Sequence, residues 1–323
     1  MLGLFEYFKI LTIGLLVVLG FYFVFELPIE QGGILEVEAG TTATTSLSVG
    51  NASPTVSGVV LNGGSHIKLI EGSATTVTAT CTVSDDNGYS DINEVIGKLY
   101  RQAVADNYNC NLDGNDCYGT STCATSSCSG NDCVATCQFN VWFIAEPTDT
   151  GSTYDAQHWV AWIRATDSNA SSSWATNSAQ DIDVGTLNAL DVTDSISYGS
   201  LAPGGKNDPL DKLVLATTTG NNAIDANISG YDMCTDYPTC SAATTSITNQ
   251  KYATSSGIGY GSSSAEGIHV ASSSAVLLEF VTSKPTATPS SVAQNIYWGT
   301  LVPTGTDPGT YEGVNTFAVT SDS

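Results

Sequence analysis

The side chains of this chain with the types and spacing for chemistry are a few aspartates and nine cysteines. Asp85, Asp86 and Asp91, with Asn87 among them, follow one alternating run, and Asp167 and Asn169 follow another. Carboxylates brought together by two such loops repel each other unless a cation sits between them. Calcium suits that donor set, because it takes roughly six to eight oxygens in flexible geometry. Asp and Asn also hydrogen-bond their own turns, so ordinary solvated turns account for the same residues. Asn111-Leu112-Asp113-Gly114-Asn115-Asp116 is a shorter acidic loop that lacks the closing Glu of a helix-flanked calcium loop.

The cysteines read as disulfides of an exported chain, and their odd count leaves one unpaired within it or paired between chains. Cys81 and Cys137 both fall on the apolar face of an alternating run. A bond between them across a core would close about 55 residues, worth about 4 kcal/mol in the loop-entropy model. Two buried free thiols are the alternative. Cys110, Cys117, Cys123, Cys128 and Cys133 crowd one polar loop, so two local pairs with one of these left over is the natural count. Cys234 and Cys240 would close a short ring around Pro238, worth about 2 kcal/mol by the same model. Zinc is a poor fit, since the chain has no Cys-x-x-Cys and no histidine near the cluster.

Catalysis finds little support. His66, His158 and His269 are scattered, and neither a His-Glu-x-x-His nor a Gly-x-Ser-x-Gly motif occurs. The five tryptophans could stack on sugar rings, yet Trp142, Trp159 and Trp162 lie on strand-like runs where packing is the simpler role. The 32 acids against 9 bases give a net charge of −23, which argues against nucleic acid as a partner.

The elements that must position these residues begin with an uncharged run, Ile10–Phe25. As a helix it spans roughly 24 Å, and the apolar residues before it extend this toward a bilayer core of about 30 Å. Lys9 precedes it and Glu26, Glu30, Glu36 and Glu38 follow, so the bias of positive charge to the inside places the rest of the chain outside the cell. Residues 1–30 are therefore expected to be a membrane anchor, with residues 10–25 in the lipid. A cleaved signal ending near Val37-Glu38-Ala39 is the alternative. Residues 31–54 read as a Gly/Thr/Ser-rich linker with one strand at Thr44–Val49.

Beyond the linker the pattern is all-β. Thr75–Val83 alternates, with Val77, Ala79, Cys81 and Val83 on one face and threonines on the other, as a half-buried strand does. Further strands are expected at Val95–Val104, around Cys137–Phe143, at His158–Thr166, and weakly up to Val184, with 106–133 as a loop. Residues 55–185 thus read as an immunoglobulin-like sandwich with a Cys-rich loop. Residues 186–323 read as a second sandwich, with strands at Ile196–Leu201, Lys212–Thr218, within Asn221–Ser229, Ile268–Val270, Val276–Val281, Ile296–Leu301 and Tyr311–Thr320.

The Asp-rich turns and strand order of 55–185 resemble bacterial cadherin-like and PKD-like modules. The stretches SYGSLAPGG, TTGNNAIDANISG and YWGTLVPTGTDPGTYEGVNTFAV resemble secreted prokaryotic surface proteins and, distantly, the TasA/camelysin type of fibre-forming sandwich. In an immunoglobulin-like sandwich the second-to-third-strand loop and the last hairpin loop share one end, which would bring Asp85, Asp86 and Asp91 to Asp167. The expectation is a non-enzymatic, membrane-anchored structural or adhesive surface protein that self-associates into a filament or coat. A module binding glycan or another surface protein is the first alternative, and an extracellular hydrolase of the camelysin kind the second.

Overall fold

Alternation of threonine with small apolar residues from Ala74 to Ser84 leaves this segment one stable option, a strand with one face buried. The computed structural model describes residues 43–104, 110–120, 122–177, 179–264, 267, 269–279, 284–286 and 292–321. The apolar run expected in the membrane lies outside them. No helix among the described residues is long and apolar enough to cross a membrane. The chain divides after Val49. The described part before that point, residues 43–49, forms no strand, contrary to expectation, and Leu47 and Val49 are exposed.

Residues 50–323 are one unit. Its first half carries β1 (Thr55–Leu61), β2 (Ala74–Ser84), β3 (Glu94–Arg101), β4 (Cys117–Thr120), β5 (Ala124–Ser129), β6 (Asp132–Trp142), β7 (Trp159–Thr166) and β8 (Ala175–Thr176). They form two antiparallel sheets, ordered β1-β2-β6-β5 and β4-β3-β7-β8. The β2–β6 register sets Val77 opposite Phe139, Ala79 opposite Cys137, and Cys81 opposite Ala135. These side chains, with Leu99, Ile163 and Trp159 from the other sheet, make one core. Gly97 on β3 lets the sheets approach closely: a Cβ there would lie 3.1 Å from Phe139 and 3.2 Å from the sulfur of Cys137.

The second half carries β9 (Leu190–Val192), β10 (Lys212–Thr218), β11 (Ile224–Gly230), β12 (Met233–Cys234), β13 (Thr244–Thr245), β14 (Gln250–Ala253), β15 (His269–Val270), β16 (Val276–Leu278), β17 (Val292–Thr300) and β18 (Asn315–Ser321). A sheet ordered β15-β14-β17-β10-β9 covers a sheet ordered β16-β11-β18, with Trp298, Tyr252, Ile224 and Ile228 buried between them. The strand expected at Ile196–Leu201 is absent. Ile196 and Tyr198 pack on the core without entering a ladder, and the edge is β9 instead.

Asn221 fastens the two halves. It is fully buried, and its Nδ2 donates to the carbonyls of Ala145 (2.8 Å) and Gly185 (3.0 Å) while its Oδ1 accepts from the Leu187 N–H (2.6 Å). Gly220 beside it lets the backbones meet, since a Cβ there would fall 1.9 Å from the Leu187 carbonyl oxygen.

The disulfides correct the sequence reading. Cys110 joins Cys117, Cys123 joins Cys137, Cys128 joins Cys133 and Cys234 joins Cys240. Cys81, expected to bond Cys137, is the free cysteine among the described residues, and it is buried. β2 and β6 are neighbours in one sheet, so Cys81 and Cys137 sit diagonally on the same face. Diagonal positions lie about 7–8 Å apart, at or past the reach of a disulfide. Cys123 comes instead from the other sheet. The chain crosses there between β4 and β5, and the Cys123 N–H bonds the Val95 carbonyl at 2.7 Å, which carries its sulfur into the core. The unpaired cysteine is therefore not one of the five in the loop. The 106–133 segment also contains β4 and β5 where a loop was expected.

Burial raises the Cys81 thiol to about 11, so it is protonated and inert at neutral pH. Alkylation of the native protein should leave Cys81 unlabelled, with one thiol appearing on unfolding without reductant. Non-reducing gels should show monomer. Rapid native labelling of Cys81 would contradict the burial.

Candidate metal centre

β2 ends at Ser84 and β7 at Thr166, while β3 begins at Glu94, so the segments containing Asp85, Asp91 and Asp167 emerge at one end of the first pair of sheets. Pairing of β3 with β7 is extended by an Asn93 N–H to Thr166 carbonyl bond of 2.8 Å, which draws the Asp91 turn toward Asp167. The β5–β6 turn supports the same loop, for the Asp85 and Tyr89 N–H groups bond the carbonyls of Asn131 and Gly130.

One carboxylate oxygen from each of Asp85, Asp91 and Asp167 lies within 4.8 Å of the others. Oxygens that share one calcium at about 2.4 Å can lie up to about 5 Å apart, so this spacing fits a common ion. Asp85 is 1% exposed and Asp167 6%. Asp85 Oδ1 accepts the Asn87 N–H at 2.8 Å, but its Oδ2 is buried with no hydrogen-bond partner. Asp167 Oδ1 accepts the N–H groups of Asn169 (2.6 Å) and Ala170 (2.5 Å), and its Oδ2 accepts Asn51 Nδ2 (2.9 Å). Those donors, Asn51 foremost, hold the Asp167 carboxyl below the usual range, so it stays ionised. Among the described residues none of the three carboxylates forms an ion pair with a base. Two such charges repel by roughly 3–4 kcal/mol at an effective dielectric near 20. A hard cation would satisfy the orphaned Asp85 oxygen and remove that repulsion together.

Of the residues expected here, Asp85, Asp91 and Asp167 meet, whereas Asp86 is exposed and stands outside the group. Its side chain points away because Asp85 takes the inward position at the strand end. Asn51 was not foreseen: its Oδ1 also accepts Asn169 Nδ2 at 3.5 Å, and the Ala52 N–H donates to Asn87 Oδ1 at 2.6 Å. A linker asparagine carries no sequence signal for such a contact. The second acidic loop is drawn elsewhere, because Asn115 and Asp116 turn toward Glu146, Arg101 and Lys284. His66 and His158 both reach Asp183, which also accepts the Thr148 hydroxyl. Neither a protein-family model nor a curated protein sequence matches this chain.

If the three carboxylates share an ion, millimolar calcium should raise the melting temperature and chelator should lower it. Saturation to about 100 times Kd corresponds to about 2.7 kcal/mol. Asp85→Asn keeps the shape, removes one buried charge and should abolish the response while leaving the calcium-free protein at least as stable. Identical melts with and without calcium would return these residues to turn duty. Without the ion, acidification has a defined sign at Asp167. Its lowered pKa contributes stability that is present above the unfolded value of about 3.9 and is lost as pH falls below it.

Proposed function

We propose that this chain is an extracellular structural or adhesive surface protein, anchored by residues 10–25 and able to self-associate into a filament or coat. The observation that carries the reading is the set of four disulfides, which belongs to an oxidising compartment outside the cytoplasm. Three of them close short loops, and Cys123–Cys137 lies in the core. The sheet orders β1-β2-β6-β5 and β4-β3-β7-β8 correspond to the A-B-E-D and C′-C-F-G orders of an immunoglobulin sandwich. That supports an immunoglobulin-like first domain, with the second pair of sheets as another sandwich in tandem. A calcium ion at Asp85, Asp91 and Asp167 would make the first domain cation-dependent.

Strand donation supplies a geometry for self-association. Residues 43–49 are exposed and unpaired in the monomer, with Leu47 and Val49 facing solvent. β9 and β18 are edge strands of the two sheets in the second half. A groove of about 1160 Å³ between them is lined by Val192, Ile196, Tyr198 and Phe317. Residues 43–49 of a second copy would add backbone hydrogen bonds to the β18 edge and place alternate side chains in the groove. Such a head-to-tail contact propagates into open filaments.

A glycan-binding role is the second reading, favoured by Tyr237 and Tyr311 in the same groove. The tryptophans give it less support, since Trp159 and Trp298 are fully buried. Electron microscopy of cell envelopes should show regular polymer. Deleting residues 43–49 should leave a monomer of unchanged melting temperature that no longer polymerises. Polymer that survives the deletion would overturn strand donation, and glycan binding by a protein that never polymerises would favour the second reading.

A further inference from the structure

Glu146 lies in the first half of the 50–323 unit and is 6% exposed. Its Oε2 accepts Arg101 Nε at 2.5 Å, and its Oε1 accepts Asn115 Nδ2 at 2.9 Å. The other side of the Asn115 amide is met by Lys284, whose Nζ donates to Asn115 Oδ1 at 2.8 Å and lies 3.8 Å from Glu146 Oε1. Asn115 is 8% exposed. The orientation of its amide is fixed by chemistry: a carboxylate can only accept, so it faces Nδ2, and an ammonium can only donate, so it faces Oδ1. The backbone is held as well, with the Asn115 N–H on Asp113 Oδ1 at 2.9 Å and the Asn115 carbonyl accepting the Glu146 N–H at 2.8 Å.

We propose that Lys284 and Asn115 are joined by an intramolecular isopeptide bond, formed with Glu146 as the proton carrier. A half-buried amine and a buried carboxylate, 3.8 Å apart and each hydrogen-bonded to one carboxamide, are the groups this transamidation needs. Glu146 accepts a proton from the Lys284 ammonium, and the freed lone pair attacks Asn115 Cγ. Glu146 returns the proton to the amide nitrogen, the Cγ–Nδ2 bond breaks, and ammonia leaves. The new amide nitrogen gives up its surplus proton through Glu146 to that ammonia. In sum, an ammonium and a carboxamide become a secondary amide and an ammonium ion, with no oxidant, reductant or other reactant.

The surroundings act on the amine, the carboxylate and the leaving group in turn. Burial lowers the Lys284 pKa, although Glu146 offsets part of the effect, so the neutral amine is easier to reach. Arg101 holds the far oxygen of Glu146 and is itself fixed over the Tyr154 ring, 3.7 Å from its centroid. It is a positioning residue. Asp113 and Asp116 oppose the lowering at Lys284, because their negative charge favours the ammonium; Asp116 is itself pushed up to about 6 by burial and by repulsion from Asp113 and Glu146. A cavity of about 370 Å³, lined in part by Pro147, Tyr154 and Asn221, adjoins Lys284 and gives the site contact with solvent-sized space. Holding the reacting groups together replaces a bimolecular encounter, which is the main obstacle to amide exchange at neutral pH. Lys284 lies between β16 and β17, and Asn115 precedes β4, so the bond ties the two pairs of sheets covalently.

The test is the intact mass of the full chain after denaturation and reduction. The native sequence should be lighter than its composition by one ammonia, and proteolysis should yield a branched peptide joining Asn115 to Lys284. Lys284→Arg and Glu146→Gln should both restore the full mass. Cleavage between the two halves should leave one band on a reducing denaturing gel for the native sequence and two bands for Lys284→Arg. Full mass in the folded native chain, or an ammonia loss that maps to another site, would overturn the proposal. The native chain decides the matter even if a variant fails to fold.

Discussion

A carboxylate taken out of water must be compensated where it lies, and Glu146 is where this structure meets that demand most densely. Its side chain is claimed by Arg101 from β3, by Asn115 from the disulfide-bounded loop, and by Lys284 from between β16 and β17. Its backbone carbonyl accepts the indole N–H of Trp159 at 3.0 Å, at the start of β7 and in the centre of the core. One residue thus links the β4-β3-β7-β8 sheet to the second half of the chain. Removing any one partner would leave the others around an under-compensated charge, at a cost of roughly 3–5 kcal/mol for a buried pair. Asn221 holds the same junction with neutral bonds alone, and so adds attachment there without adding charge.

The composition makes such compensation scarce. With 9 bases for 32 acids, most carboxylates must lie in solvent or find donors other than lysine and arginine. Arg101 and Lys284 are both committed to Glu146. At the opposite end of the first pair of sheets, Asp85 has a backbone donor and Asp167 has backbone and asparagine donors, and among the described residues neither they nor Asp91 pair with a base. Donor hydrogen bonds stabilise one carboxylate well, as at Asp167. They do not cancel repulsion among three, and the partnerless Asp85 oxygen is where that shortfall appears. Two similar needs are therefore met differently, by side-chain cations around Glu146 and by neutral donors alone at Asp85 and Asp167.

What could be read from the sequence follows from which interactions are local. Alternation in Thr75–Val83 and Cys137–Phe143 located β2 and β6, because burial on one face leaves a period of two. The loop aspartates were legible for a related reason, since strand ends fix where short loops emerge. β5 was not legible: its ATSSCS residues are nearly all exposed, and pairing with β6 and the Cys128–Cys133 bond hold it instead. Cys81 misled because its apolar-face position says that it is buried but not which sheet faces it. Asn115 and Lys284 are 169 residues apart, so only the three-dimensional structure brings them together.

The two charged centres also differ in what they can influence. β2 runs from Ala74, near the Glu146 end, to Ser84, near the aspartate end, and its 11 residues span roughly 35 Å. Neither centre shares a side chain with the other among the described residues. At that separation free-energy effects of the two are expected to add. A cation at the aspartates would order the β2–β3 and β7–β8 loops, together with Asn51 through its bond to Asp167. A covalent bond at Lys284 would act on the junction with the second half. An ion at the aspartates would thus make one end of the first pair of sheets answer to cation concentration, whereas a covalent bond at the other, once formed, would be permanent.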